Sequence, residues 1–316
     1  MEIERRKEIA ESDKAMFEMV QNSLVRASSI WREIQQRSDA TQVLKEGTFG
    51  DLGADQEVQA DVLMGKALTR YLLASPNVQE VITEEGNYGE EQEGEYTVFV
   101  DPLDSSANAI RTLERLKLGL PTTQHDLPFG TVIAFAKNNG ETIDDVTAAG
   151  FTRLDTGYSY IAVKDQGFYI VDPKGNRTKV NLSKIASQPT NVSDLLKNGW
   201  TFWTENYYPD TRTIVNTKLL KPDEKGYVRS QGCGANEQTT IAAGEAAAFF
   251  CTTAKLHEPA ATILMVKEAG GVAVNPFTME DAGTFPLRSD FRIQKQPLLL
   301  AMNKQLARDI HRRLTK

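Results

Sequence analysis

Val98-Phe99-Val100-Asp101-Pro102-Leu103-Asp104-Ser105-Ser106 is the stretch on which the reading of this chain turns. An apolar strand runs into two aspartates three positions apart, then into small hydroxyl residues that can open a helix. This predicts two carboxylates at the C-terminal end of a strand, beside the backbone amides of a helix N-terminus. Carboxylates hold a hard divalent cation, and such amides receive a phosphate. The same nine residues also fit a plain Asp-Pro turn in which Asp104 serves as an N-cap.

Two further carboxylate groups sit in comparable places. Glu84-Glu85 follows the short apolar run Val81-Ile82 with only Thr83 between, so it too lies at a strand end. Glu258 precedes Pro259 and a helical pattern over Ala260–Ala269, which makes it an N-cap or first-turn acid. Taken singly, each has an ordinary explanation. The segment 84–95 holds six Glu in twelve residues, and a solvated acidic face accounts for Glu90, Glu91, Glu93 and Glu95. Glu258 alone could do no more than favour the helix dipole, worth about 0.3–1 kcal/mol.

The remainder of the chain bounds the function. Its 316 residues carry 36 Lys and Arg against 43 Asp and Glu, a net charge of −7, which disfavours a nucleic acid polymer as partner. With 40% apolar and 25% charged residues the composition is that of a folded protein. Cys233 and Cys251 are its two cysteines, too few for a disulfide framework or a cysteine-based zinc site. No uncharged apolar run reaches the ~18 residues of a membrane span. The charged opening Met1–Lys7 does not read as a secretory signal, so a cytoplasmic protein is expected. Histidines occur only at 125, 257 and 311, which favours Mg²⁺, with Mn²⁺ as an alternative, over zinc.

Periodicity predicts a long amphipathic helix over residues 1–37 and a second helix starting near Asp55. An antiparallel sheet built from short β-rich runs follows, up to about 171, with turns at 138–140 and 173–175. The polar stretch Ser183–Asn198 reads as a linker, after which strands and helices alternate to the end. Two parts are therefore expected: 1–185, a helix pair with the sheet carrying the aspartate motif, and 186–316, an α/β half that closes a cleft. Trp200, Trp203, Tyr207 and Tyr208 form an aromatic group expected to lie in the core.

Asp101-Pro102-Leu103-Asp104-Ser105-Ser106, with Thr83-Glu84-Glu85 upstream and Glu268-Ala269-Gly270-Gly271 downstream, resembles the inositol monophosphatase / fructose-1,6-bisphosphatase superfamily of magnesium-dependent, lithium-sensitive phosphatases. The likeness runs from Gly53-Ala54-Asp55-Gln56 to the strand at Leu298. It implies a layered α+β / α/β sandwich, α-β-α-β-α, and hydrolysis of a small phosphate ester such as an inositol or sugar phosphate. Glu84, Asp101, Asp104, Glu258 and the Leu103 carbonyl match the metal ligands for two or three Mg²⁺ ions. Asp55 and Ser106 match the groups that orient the attacking water, with Glu84 beside them. The amide of Ser105, the Ser106 region and Arg229 match the phosphate and substrate contacts. A homodimer is compatible with this reading.

The sequence also departs from the family pattern. Ser105 stands at a glycine position, and the expectation is that it opens a helix with φ below zero, its side chain turned away from the metals. His257-Glu258 replaces the Trp-Asp of the inositol enzymes, and His257 is expected to pack or bond locally. Cys251 stands where those enzymes carry a sugar-reading Glu, and is expected to be a small buried residue. Thr252 stands where fructose-bisphosphatases carry a phosphate-gripping Lys. A nucleotide 3′-phosphatase or bisphosphatase on the same scaffold, and a non-catalytic member, are the alternatives.

Overall fold

The computed structural model describes residues 2–45, 57–83, 86–89, 93–120, 127–205, 208–221, 224, 228–255, 257–287 and 295–316; for 2–13, 45, 57 and 295 only the backbone is described. Helices are α1 (Glu2–Ile34), α2 (Gln59–Leu73), α3 (Ser106–Lys117), α4 (Val192–Lys197), α5 (Pro209–Ile214), α6 (Gly234–Ala243), α7 (Pro259–Glu268) and α8 (Lys304–Leu314). A small ribbon pairs β1 (Val43–Lys45) with β2 (Glu57–Val58). The large sheet holds β3 (Val78–Thr83), β4 (Asn87–Tyr88), β5 (Tyr96–Asp104), β6 (Gly130–Lys137), β7 (Val146–Arg153), β8 (Ser159–Val163), β9 (Gly167–Val171) and β10 (Arg177–Val180). The smaller sheet holds β11 (Phe202–Thr204), β12 (Val228–Arg229), β13 (Ala248–Lys255), β14 (Val272–Val274) and β15 (Lys295–Ala301).

The large sheet runs in the order β10-β9-β8-β7-β6-β5-β3-β4 and the smaller one β12-β11-β13-β15-β14. Both are mixed: β3 lies parallel to β5, and β11 lies parallel to β12 and β13. Helices α1 and α2 pack on one face of the large sheet; α6 and α7 touch both sheets from between them; α5 and α8 pack on the smaller sheet, with α4 against α8. The result is the five-layer α-β-α-β-α sandwich. Alternation along the strands builds it. On β5, Val98 and Val100 join the core beneath α1 and α2, while Phe99 faces the core shared with α6 and α7.

Some local expectations change. α2 begins at Gln59, because Glu57–Val58 first pairs as a strand with Val43–Lys45. The stretch 183–198 is not a bare linker: a 3₁₀ turn and α4 bury Leu182, Val192, Leu195 and Leu196 in the core. Its polar residues serve as caps, since Asn181 and Asn191 accept from Ser183 N and Asp194 N. Trp203 and Tyr208 are buried as expected, with Trp203 Nε1 donating to Thr240 Oγ1 at 2.9 Å; Tyr207 lies outside the described residues.

The aspartate motif is neither a turn nor a plain strand end. β5 continues through Pro102 to Asp104, and its register against β6 shifts: Asp101 faces Val132 while Asp104 faces Gly130. Three steps on β5 thus match two on β6, which is a β-bulge. In a regular strand, residues three apart point to opposite faces; the extra residue removes that opposition. Pro102 fits because its lack of an N–H costs nothing at an unpaired bulge position.

Ser105 then turns the chain from β5 into α3, and here the expected negative φ is wrong. Ser105 sits outside the helix as its N-cap, with φ 69° and ψ 57°, in the left-handed region, and its side chain makes no capping bond. Its carbonyl accepts from the Asn108 and Ala109 amides at 3.0 and 3.2 Å. Serine adopts this left-handed conformation at a cost of roughly 1–2 kcal/mol. We therefore predict that Ser105→Gly raises the unfolding free energy by about 0.5–1 kcal/mol, the relieved strain less the extra freedom of glycine in the unfolded chain. Denaturant titration checks this, and an unchanged or lower midpoint would refute it.

An ion pair helps to fasten α8. Arg313 donates Nη1 to Glu224 Oε2 at 2.7 Å and Nη2 to Glu224 Oε1 at 2.9 Å, and Nη1 also reaches the Leu219 carbonyl at 2.8 Å. The guanidinium hydrogen bond holds the Glu224 carboxyl down at about 2, below the usual range. A depressed carboxyl stabilises the fold above its unfolded pKa, and the stabilisation is lost as pH falls toward 2. Glu224→Gln should therefore cost about 2 kcal/mol at pH 7, with the gap from wild type closing between pH 4 and 2 in chemical unfolding.

Candidate metal centre

Asp101 and Asp104 reach the centre from the bulge, both almost fully buried. Asp101 Oδ1 accepts from the Leu103 amide at 3.0 Å, an intra-bulge bond that fixes its rotamer. Asp104 Oδ2 accepts from the Ala235 amide and from Cys233 Sγ, each at 2.9 Å. Those donors belong to the start of α6, so the positive end of that helix faces Asp104. Even so, burial first, and the neighbouring Glu258 charge second, push the Asp104 carboxyl up to about 7, against the hydrogen bonds from Cys233 and Ala235.

Glu258 arrives from the other side, where β13 passes into α7. It occupies the N-cap position with Pro259 next, yet its side chain makes no capping bond. His257 Nε2 lies 3.4 Å from Glu258 Oε1 and 3.9 Å from Asp101 Oδ2, and the three side chains are 5% (His257), 13% (Glu258) and 3% (Asp101) exposed. One ligating atom from each of Asp101, His257 and Glu258 lies within 4.8 Å of the others. Bonds of about 2.0–2.1 Å around one ion hold its ligands roughly 3–4 Å apart, so the donor set fits a divalent cation.

Residues that sequence reasoning missed surround this trio. Glu205, just past the end of β11, is densely enclosed although it keeps some exposed surface; burial first, then Glu258, Glu237 and Asp104, raise it to about 8. Its Oε2 accepts from Cys251 Sγ at 3.1 Å. A Cβ on Gly234 would stand 3.0 Å from Glu258 Oε1 and 3.2 Å from Glu205 Oε1, so the bare glycine leaves room for both carboxylates. Glu237, raised by burial to about 8, gathers the loop before α6: its Oε1 accepts from Ser230 Oγ at 3.0 Å, from the Gly232 amide at 3.1 Å and from the Gln231 amide. Glu205 had a signal, since in the sequence it follows an apolar run and a threonine as Glu84 does.

The remaining expected residues divide as follows. Ser106 opens α3, and its hydroxyl is 2.8 Å from Asp61 Oδ1 and 3.3 Å from the Leu103 carbonyl; with one proton to give, it favours the shorter partner. Asp61 also accepts from the Val58 amide at 3.1 Å, which fixes it at the start of α2. Asp55, Glu84, Glu85 and His125 lie outside the described residues. Arg229 is exposed at the end of edge strand β12, leading into the loop that Glu237 holds. Cys251 is buried. His257 is buried as packing would have it, but its ring faces the two acids. Glu268 stands elsewhere: its carboxylate accepts from the Asp165 and Gly167 amides, both at 2.8 Å, pinning the β8–β9 hairpin to α7.

A cavity of ≈ 630 Å³ opens beside Asp61, lined also by Lys66, Thr69, Arg70, Thr83 and Tyr88. Gly65 on the same helix faces Pro102 of the bulge, with a Cβ there meeting the proline ring at 3.6 Å. The cavity and the aspartate motif are therefore neighbours, separated by α2.

Comparison with known proteins agrees with this architecture. No curated relative matches the chain. Solved structures do: the "IMPase" of Thermotoga maritima superposes with a TM-score of 0.65 at 17% identity, covering 93% of this chain and 94% of that one. The extragenic suppressor protein suhB of Bartonella henselae gives 0.66 at 22% identity, over 94% and 97% of the two chains. Leishmania major fructose-1,6-bisphosphatase gives 0.66 at 16% identity, over 96% and 94%. At such identities these likenesses speak to the fold. The sequence profile of the inositol monophosphatase family matches residues 15–313, nearly the full length, and the chain belongs to that family.

Proposed function

We propose that this chain is a metal-dependent phosphomonoesterase acting on a small phosphate ester, of the inositol phosphate or sugar phosphate class. The observation that carries the proposal is the convergence of Asp101, on the large sheet, and Glu258, at the start of α7, on one point. Glu84, Asp101, Asp104, Glu258 and the Leu103 carbonyl are the proposed ligands of two or three divalent cations, Mg²⁺ or Mn²⁺. When bound, such ions lower the pKa of water and neutralise charge on the phosphoryl and leaving oxygens.

The chain's own residues then position the reaction. A Ser106 hydroxyl that gives its proton to Asp61 keeps its lone pairs free to accept from a water, which sets that water's orientation. We assign Asp61 this supporting role beside the proposed role of Asp55. At the start of α3 the first amides have no partner within the helix, and they are the proposed seat of the phosphate. Ser105 supports this placement. By taking the left-handed conformation that glycine takes freely, it gives the backbone a glycine-like path.

The expected result is Mg²⁺- or Mn²⁺-dependent phosphate release in a screen of sugar phosphates, inositol phosphates and nucleotide bisphosphates. Asp101→Asn should lower kcat/KM by at least ~100-fold, as removal of one charge from a shared site demands, and Asp61→Asn by about 10-fold through kcat. Phosphate release by Asp101→Asn at the wild-type rate would contradict the proposal. Release only from nucleotide bisphosphates would keep the chemistry and change the substrate class.

A further inference from the structure

We infer that the cavity beside α2 is a binding site, separate from the metal centre, for a small organic anion: an apolar body carrying one carboxylate, sulfonate or phosphate group.

The size and lining of the cavity carry the argument. Its volume of ≈ 630 Å³ falls within the range of about 300–1,000 Å³ for pockets that take small molecules. Val62, Lys66, Thr69, Arg70 and Leu73 line it at helical spacing, so one face of α2 forms a wall. Thr83 of β3 and Tyr88 of β4, which pair as neighbouring strands, complete it. A helix and a strand pair hold such a wall in place before any ligand arrives, which lowers the ordering cost of binding. Val62, Leu73, Ala74 and the Tyr88 ring give the ligand apolar surface to cover.

The polar groups on this wall select an anion. Thr69 is only 8% exposed, yet its hydroxyl donates to no described group. A hydroxyl so enclosed calls for an acceptor, and an anionic oxygen is one. Lys66 and Arg70 stand one turn apart on the same face, and neither side chain forms an ion pair or hydrogen bond with a described residue. Asp61, the acid on the wall, is already engaged: Oδ1 accepts from Ser106 and Oδ2 from the Val58 amide. Two cations and a hydroxyl donor thus remain for a ligand, in a chain of net charge −7. The metal centre has the opposite character, an excess of carboxylate, so the two sites select partners of opposite charge. A ligand in the cavity packs against the helix whose first turn, through Asp61, holds the Ser106 hydroxyl.

The test is titration of metal-stripped full-length protein with 8-anilinonaphthalene-1-sulfonate, an apolar two-ring body with one sulfonate, followed by fluorescence and calorimetry. N-phenyl-1-naphthylamine, the same body without the charge, is the control. We expect one sulfonate probe per chain, bound at least ~10-fold more tightly than the neutral one. Lys66→Gln and Arg70→Gln should each weaken the sulfonate about 3- to 10-fold and leave the neutral probe within about twofold of wild type. Val62→Trp, which fills the cavity, should weaken both. A wild-type crystal soaked in the sulfonate should show it against Thr69, with its charged group at Lys66 or Arg70, and this decides the matter even if a variant fails to fold. Absence of binding, equal affinity for the two probes, or sulfonate binding unchanged in Lys66→Gln and Arg70→Gln overturns the inference. None of these readouts requires turnover, so the phosphatase reading stands or falls separately.

Discussion

Asp101, Asp104 and Glu258 bring like charges into a space that water barely reaches, and in such a medium each charge is unstable unless something answers it. The surrounding structure can be understood as partial answers. The start of α6 turns its amide dipoles on Asp104, and the Cys233 thiol adds a hydrogen bond. The His257 ring stands between Asp101 and Glu258. These do not suffice: burial and Glu258 still drive the Asp104 carboxyl to about 7, and Glu205 beside it to about 8. A bound divalent cation would answer the excess, and the carboxylates would then ionise together.

The architecture exists around that point. Two sheets with α6 and α7 between them let acids from distant parts of the chain meet without a flexible connection: the β5 bulge delivers one pair, and the β13–α7 junction delivers Glu258. Small residues keep the space open. Gly234 leaves room for two carboxylates, and Gly271 lets α7 lie close to β15, since a Cβ there would stand 2.9 Å from the Ala301 carbonyl. The Glu268-Ala269-Gly270-Gly271 motif thus serves packing and hairpin anchoring, and its acid is distant in role from those of the centre.

Much of this was legible in the sequence, because strand-end acids next to helix starts are local patterns. The two aspartates, Glu258 and the long first helix follow from periodicity or motif, and the layered fold from the family resemblance that those motifs carry. The rest depends on partners the local sequence does not show. The bulge arises from the pairing of β5 with β6. There Gly130 is obligatory, since a Cβ would run into the Thr152 carbonyl. The left-handed Ser105 comes directly after the bulged end of β5, and a helix-start pattern alone favoured negative φ. Asp61 and Glu205 reach their places through long-range packing, and His257 read as packing because nothing local revealed which way its ring faces.

The most direct measurement of the central claim is an anomalous difference map from a crystal of the full-length protein soaked in Mn²⁺. The account predicts a peak within about 2.0–2.3 Å of carboxylate oxygens of both Asp101 and Glu258, beside the first turn of α6. A map with no peak there, or with Mn²⁺ bound only at surface carboxylates, would contradict it.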